Sequence, residues 1–283
     1  MTTLSLSPSR ASDFRTCPQL FKYRAIDRLA EPASEPAVRG SIVHLALERL
    51  FEEPAGRRDL TVALDTLDTA WVDYLDDDLR AELFATEAAE LESQQTCERF
   101  VRNYFELETP SALEPAGREI RLSAEIGGVA VRGILDRVDR SAEGDWIISD
   151  YKTGRTPALD RSVRNFFGLE VYAALFHEVF GVVPRQVRLL YLDSPDVYVL
   201  DQTLQSVTNT KRLLGALGAA IATAIERDDW RPRTSALCDW CSFKDRCPAW
   251  ATSLRVDTGD GNDAQRRKDP QASSSPSAPV SAA

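Results

Sequence analysis

Two aspartates and a lysine are placed where this chain could do chemistry. Asp136 lies in VAVRGILDRVD (129–139), and Asp150 and Lys152 lie in DWIISDYK (145–152). Both stretches are short and largely apolar or alternating, and a Glu-Gly-Asp turn separates them, so they read as consecutive antiparallel strands. Side chains two apart on a strand share a face. That places Asp150 and Lys152 with Trp146 and Ile148, and Asp136 with Ile134 and Val138. Charges on apolar faces are costly unless they bind something. Two neighbouring carboxylates suit a hard divalent cation such as Mg²⁺ or Mn²⁺, which takes oxygen ligands and keeps waters for chemistry. A buried Asp–Lys ion pair, or an Asp-x-Lys at an exposed strand end, accounts for the same three residues.

The elements that must position them alternate in type along the chain. Helical spacing is read over 7–29, 40–53, 59–80 and 82–107. Three strands follow, over 118–126, 129–139 and 145–152. A helix over 165–180 carries the stripe Leu169, Tyr172, Leu175 and Val179. Two more strands, 186–193 and 197–202, precede a helix over 203–228. The segment 234–250 reads as a compact loop. From about 255 the chain turns Asp/Gly/Ser/Pro/Ala-rich, so 255–283 is expected to be a disordered tail behind one domain over 1–254. The class expected is α/β.

Of five cysteines, Cys17, Cys97, Cys238, Cys241 and Cys247, three are clustered near the C-terminus and one lies close to the N-terminus. An odd number with no export signal makes a disulfide framework a poor expectation. Cys17 with Cys238, Cys241 and Cys247 could supply four thiolates to a [4Fe–4S] cluster or to a Cys₄ zinc site. Cys97, in TCERFVRNYF, reads as a packed helix residue.

The order of these pieces is similar to that of the PD-(D/E)xK nuclease superfamily, RecB-like branch, which includes CRISPR-associated iron–sulfur nucleases. GILDRVDR (133–140) and IISDYKTGR (147–155) resemble its acidic motif pair, RGSIVHLALERLF (39–51) its G-x-x-x-H helix, and SPSRASDFRTCPQLFKYR (7–24) with LCDWCSFKDRCP (237–248) its iron–sulfur staple. The resemblance implies a restriction-endonuclease-like central mixed sheet flanked by helices, with an N-terminal helical region and a C-terminal four-cysteine segment. It implies Asp136 and Asp150 as metal ligands, His44 and the Tyr151 carbonyl as further ligands, and Lys152 as the group that orients or activates water. It also implies a structural cluster on the four cysteines, and an exonuclease for DNA single strands or frayed ends in repair or recombination, alone or beside a helicase. A CRISPR-adaptation nuclease or a catalytically weak helicase accessory would share the motifs.

One departure stands out. Such nucleases usually carry Gln-x-x-x-Tyr after D-x-K, whereas GLEVYAALF (168–176) has Tyr172 with Gly168 at the Gln position. Glu170 is not a substitute, because two residues along a helix turn it about 200° away. Glu119 is expected to have at most an accessory role, since it shares a strand face with Arg121, Ser123 and Glu125. Arg155, Arg161 and Arg164 are candidates for phosphate contacts.

Composition excludes some classes. The chain has 283 residues and a net charge of −10, which argues against a generic basic DNA-coating protein. Only five of its 34 positive residues are lysines. No run approaches the roughly 18 apolar residues of a membrane span, and the N-terminus lacks a signal-peptide pattern, so a cytoplasmic protein is expected. No P-loop motif is present, so the chain is not expected to drive a helicase itself.

Overall fold

The computed structural model describes the backbone of residues 5–156 and 159–251, and the side chains of these except 159–165 and 251. The expected tail at 255–283 and the side chains of Arg161 and Arg164 lie outside the described residues.

A mixed sheet forms the middle layer. Its strands are β1 (Ser5–Leu6), β2 (Gly117–Ile126), β3 (Val129–Arg140), β4 (Trp146–Lys152), β5 (Gln186–Tyr191) and β6 (Asp196–Asp201). The long β3 pairs antiparallel with β2 on one edge. On its other edge it meets β1 in parallel at Ala130 and Val131, then β4 antiparallel over Arg137–Arg140. β4 and β5 run parallel, which requires a long crossover. The helix α7 (Leu159–Phe180) makes it. β6 closes the far edge as a hairpin with β5.

Helices cover both faces. Those of α1 (Pro8–Thr16), α7 and α8 (Leu204–Arg227) pack one apolar core against Ile148, Leu189 and Tyr191. On the opposite face α3 (Glu35–Leu50), α4 (Leu60–Tyr74) and α6 (Glu87–Leu107) pack a second core against Tyr151, Leu190 and Leu192. Alternation along β4 and β5 thus feeds one core with even residues of β4 and the other with odd ones, as strand geometry demands.

Some expected boundaries move. The first helix breaks at Cys17, which is extended at φ −157°, because Pro18 disfavours helical backbone in the residue before it. The chain resumes as α2 (Pro18–Phe21) and a π-turn over Lys22–Ile26. The helix expected over 59–80 ends at Tyr74, and α5 (Asp77–Leu83) starts afresh with Asp76 capping the Leu79 amide. The short β1 is a strand that periodicity could not announce. The cysteine segment is not wholly loop: it holds two 3₁₀ turns (Ala236–Trp240, Lys244–Arg246) and α9 (Pro248–Ala251). Among the described residues no helix is long and apolar enough to cross a membrane.

Candidate active site

The sheet forks at the acidic pair. The β3–β4 ladder runs from Arg140 opposite Trp146 to Arg137 opposite Ser149 and stops there. One more step would set Asp136 against Asp150. In place of that step, the Tyr151 N–H donates to Asp136 Oδ2 at 2.9 Å, so the carboxylate takes over the role of a strand carbonyl.

The β2–β3 ladder is interrupted at the same level: Glu119 and Asp136 are skipped between the Arg118–Arg137 and Ile120–Leu135 pairs. Glu119 has a left-handed φ of 44°, an uncommon backbone state for a residue other than glycine. Leu135 and Val138, an odd and an even position, enter the same core, so strict alternation fails between them. The expectation that Asp136 simply shares a face with Ile134 and Val138 is corrected accordingly. The reading of Glu119 as a solvated edge fails for the same reason, because the kink turns it out of the row of Arg121, Ser123 and Glu125.

Glu119 belongs to the site. The ligand atoms of His44, Glu119 and Asp136 lie within 4.8 Å of one another, the one such group of His, Cys, Asp or Glu side chains among the described residues. Burial, with Asp136 close by, pushes the Glu119 carboxyl up to about 7. No periodicity signal could have found it, since the left-handed residue is what brings it in.

His44 reaches the fork from α3. A Cβ on Gly40 would meet Thr153 Oγ1 at 3.1 Å, so the glycine one turn before the histidine lets α3 lie close to the loop after β4. His44 Nδ1 is 3.4 Å from Asp136 Oδ2, and Nε2 is 3.0 Å from the Tyr151 carbonyl oxygen. Burial works against the imidazolium. The hydrogen bond and charge of Asp136, joined by Asp150, outweigh it and raise the pKa to about 9. Asp136 is held ionised in return: its own burial is overcome by His44, the Tyr151 amide and Lys152.

Asp150 is 4% exposed, and burial together with Asp136 raises its pKa to about 6 against the pull of Lys152. Lys152 forms an ion pair with Asp150 Oδ2, yet that buried oxygen accepts no well-formed hydrogen bond. Burial disfavours the ammonium and Asp150 more than restores it, so Lys152 is held charged.

Asp150 and Lys152 face a cleft of about 1650 Å³, whose wall includes Tyr172, Gly168, Arg121, Arg132 and Arg155. Burial and the three nearby carboxylates keep the Tyr172 hydroxyl protonated. Its ring lies on the backbone of Gly133, where a Cβ would stand 2.7 Å from Tyr172 Cε1. Gly168 faces the same space, and its departure from Gln removes a polar group from the cleft wall.

The structure thus brings His44, Glu119 and Asp136 within ligand distance of one another beside Tyr151, whereas Asp150 and Lys152, next to them on β4, open on the cleft with Tyr172 on its wall. Three carboxylates, one of them with a buried under-bonded oxygen, and an imidazole make a donor set that fits a hard divalent cation.

The cleft is also lined by Ser235, Ala236 and Leu237, which lead into the cysteine segment. Cys17, Cys238, Cys241 and Cys247 all line one smaller cavity. The Arg233 and Ser235 amides each point at a sulfur, of Cys17 and Cys238, at 3.4 Å. Burial raises the Cys247 thiol, and the other three cysteines push it the same way. Cys97 is elsewhere, fully buried in α6.

Comparison with known proteins bears on the family and the fold. A solved structure from Eubacterium rectale named "Putative exonuclease" aligns with 93% of this chain and 91% of its own, at 12% identity and a TM-score of 0.51, which shows a shared fold. A second, SSO0001, aligns with 75% of this chain and 84% of its own at 17% identity, with a TM-score of 0.37. No curated protein matches. The sequence pattern of the PD-(D/E)XK nuclease superfamily, whose members are metal-using hydrolases of nucleic acid, matches residues 5–248. By sequence and fold together, this chain belongs to the PD-(D/E)XK nuclease superfamily.

Proposed function

We propose that the chain is a divalent-metal-dependent deoxyribonuclease that works as an exonuclease on single-stranded or frayed DNA ends in the cytoplasm, in repair or recombination. The observation that carries this reading is a reversal of charge. In a protein of net charge −10, the cleft in front of the fork is lined, among the described residues, by Arg121, Arg132, Lys152 and Arg155 with Asp150 as the one carboxylate. Such a basic track favours a phosphate backbone.

Mg²⁺ or Mn²⁺ would be held by Asp136, Asp150, His44 and the Tyr151 carbonyl, with Glu119 close by, and would supply an activated water and a polarised phosphoryl oxygen. The protein's own groups do the rest. Lys152, kept charged by Asp150, orients water and meets the negative charge that develops on the phosphoryl group. Tyr172 stays protonated and can donate a hydrogen bond to a phosphate on the cleft wall. Arg155 and Arg132 hold neighbouring phosphates and set the register of the strand.

We further propose that residues 1–254 form one nuclease domain stapled by a [4Fe–4S] cluster on Cys17, Cys238, Cys241 and Cys247. The reading is supported by the four cysteines lining one cavity, with the Arg233 and Ser235 amides at 3.4 Å from the Cys17 and Cys238 sulfurs; a Cys₄ zinc site is the alternative occupant. A helicase is a fitting partner for a chain with no ATP-binding loop of its own. Gly168 favours a second reading, a DNA-binding accessory with weak turnover.

The test uses anaerobically purified full-length protein, end-labelled single-stranded DNA and Mn²⁺, wild type beside Lys152→Ala. Loss of an electrostatic stabiliser of this kind is expected to slow cleavage by about 100- to 1000-fold. Equal degradation by both proteins rules out the catalytic assignment. Tight binding without cleavage by wild type selects the accessory reading.

A further inference from the structure

Behind the fork, on the face covered by α3 and α6, lies a charged network that the chemistry above does not use. Arg137, next in sequence to Asp136, is 1% exposed and heads the largest fully buried side chains. Its guanidinium donates twice to Glu108, at 2.7 and 2.8 Å, and to Asp139 at 2.9 Å. It also donates to the hydroxyls of Tyr104 and Tyr151, at 3.0 and 2.9 Å.

A buried ion network of this kind is weak evidence for stability, because apolar packing of the same volume serves as well or better. Its connections are more telling. Beyond the Arg137–Ser149 pair the two strands share no ladder. The fork is then spanned by the Tyr151 peptide, whose N–H holds Asp136 and whose carbonyl faces His44. That peptide is aimed by the Tyr151 side chain. The ring is wedged edge-on between His44 and Tyr104, with centroids 5.8 and 5.6 Å away, and its hydroxyl ends on Arg137. Glu108, at the C-terminal end of α6, anchors Arg137 in turn.

We infer that Arg137 is a positioning residue: through the Tyr151 hydroxyl it fixes the peptide that joins Asp136 to His44, and so sets the affinity of the fork for its cation. This rests on the metal-nuclease reading above. Sequence alone hides it, since Arg137 and Asp139 in LDRVDR look like solvated charges. In the fold they are covered by helices, and Arg137 touches no group that would touch substrate.

The test is Mn²⁺ binding measured by calorimetry on full-length protein, with thermal unfolding in chelator as a separate readout. Asp136→Asn defines the share of binding that belongs to the fork. Tyr151→Phe removes only the hydroxyl and leaves Arg137 its bonds to Glu108, Asp139 and Tyr104, so it keeps the wild-type unfolding temperature. It is expected to weaken Mn²⁺ binding about 10-fold, the lower end for loss of a group that orients a ligand. Arg137→Lys, which cannot reproduce the fork of donors, is expected to weaken it by about 10- to 100-fold. The double variant should be no worse than Arg137→Lys, because both changes cut one link.

A folded Tyr151→Phe protein that binds Mn²⁺ like wild type overturns the inference, whatever Arg137→Lys does. Additive losses in the double variant overturn it too. Wild type with no Asp136-dependent Mn²⁺ binding brings down the metal reading itself, and this inference with it.

Discussion

The fork and the cysteine cavity border one cleft and are built in opposite ways. At the fork, Asp136, His44, Asp150 and Tyr151 come from strands and a helix packed in two large cores, and each is already tied to a protein partner. At the cavity, Cys17 and the three later cysteines come from segments some two hundred residues apart. Links that hold their segment to the N-terminal helices include Tyr23 Oη to the Arg246 carbonyl, Arg233 to the Arg15 carbonyl, and a tilted Tyr23–Phe243 ring pair. Leu237 and Trp240 there are exposed. The fork is built from the two cores; the cysteine segment, on the reading proposed above, would depend on a bound group. Each half of that contrast can be broken by experiment.

The largest effect is expected at the cysteines. If the four cysteines hold the proposed cluster, Cys17→Ser removes one of its ligands, and with it a cross-link closing a very long loop. The chain-entropy estimate for a loop of this size is roughly 5 kcal/mol. We expect a steep fall in unfolding temperature and rapid proteolysis within 231–251. Cys97→Ala, a small change in a separate core, should cost about 1 kcal/mol. A Cys17→Ser protein as stable as wild type would show that the segment is held without any bound group.

The fork should answer to pH in the opposite sense with and without metal. His44, raised to about 9 from 6.5, stabilises the metal-free fold fully below pH 6.5, and this contribution is lost as pH rises through about 9. Asp150 and Glu119, raised to about 6 and about 7 by burial, add to the trend. They are ionised in the folded protein only at a cost that the unfolded chain does not bear, so their share of stability is lost as pH rises from 3.8 to about 6 and from 4.5 to about 7, and is gone above those values. Metal-free unfolding temperature should therefore decline from pH 6 to 9. Saturating Mn²⁺ should reverse the slope, since its ligands must be deprotonated. His44→Ala should flatten the upper part of the metal-free curve. A flat wild-type curve would mean that the fork is not the coupled cluster described.

How much of this was legible differs between the two sites for physical reasons. The five long strands and most helices follow from period alone, because each buries one face. Asp136, Asp150 and Lys152 could be singled out because charge on an apolar row is costly unless it is paired or binds something; His44 could be singled out only through the resemblance of its helix to the family's G-x-x-x-H. Glu119 could not, since its place depends on a left-handed residue that pattern does not announce. Nor could Arg137 and Asp139, whose burial is decided by helices α3 and α6 packing over that face. The break at Cys17 was written in Pro18, but the helical spacing on either side masked it.

The smallest expected effect concerns Gly168, the position where the cleft wall departs from its relatives. A Cβ there would meet only Pro8 Cβ, at 3.7 Å, an ordinary contact, and Gly168 faces the cleft together with Asp150 and Tyr172. Gly168→Gln should thus fold without strain. Relief of a mid-helix glycine should add about 0.5–1 kcal/mol of stability. If the missing amide is what limits turnover, its return should speed cleavage of single-stranded DNA by about 2- to 10-fold, the worth of one ordinary hydrogen bond. A gain in stability with no gain in rate would show that the fork, with Tyr172 and the cleft arginines, positions the strand without help from this position. That would sharpen the contrast above, because the fork would then need no further polar group.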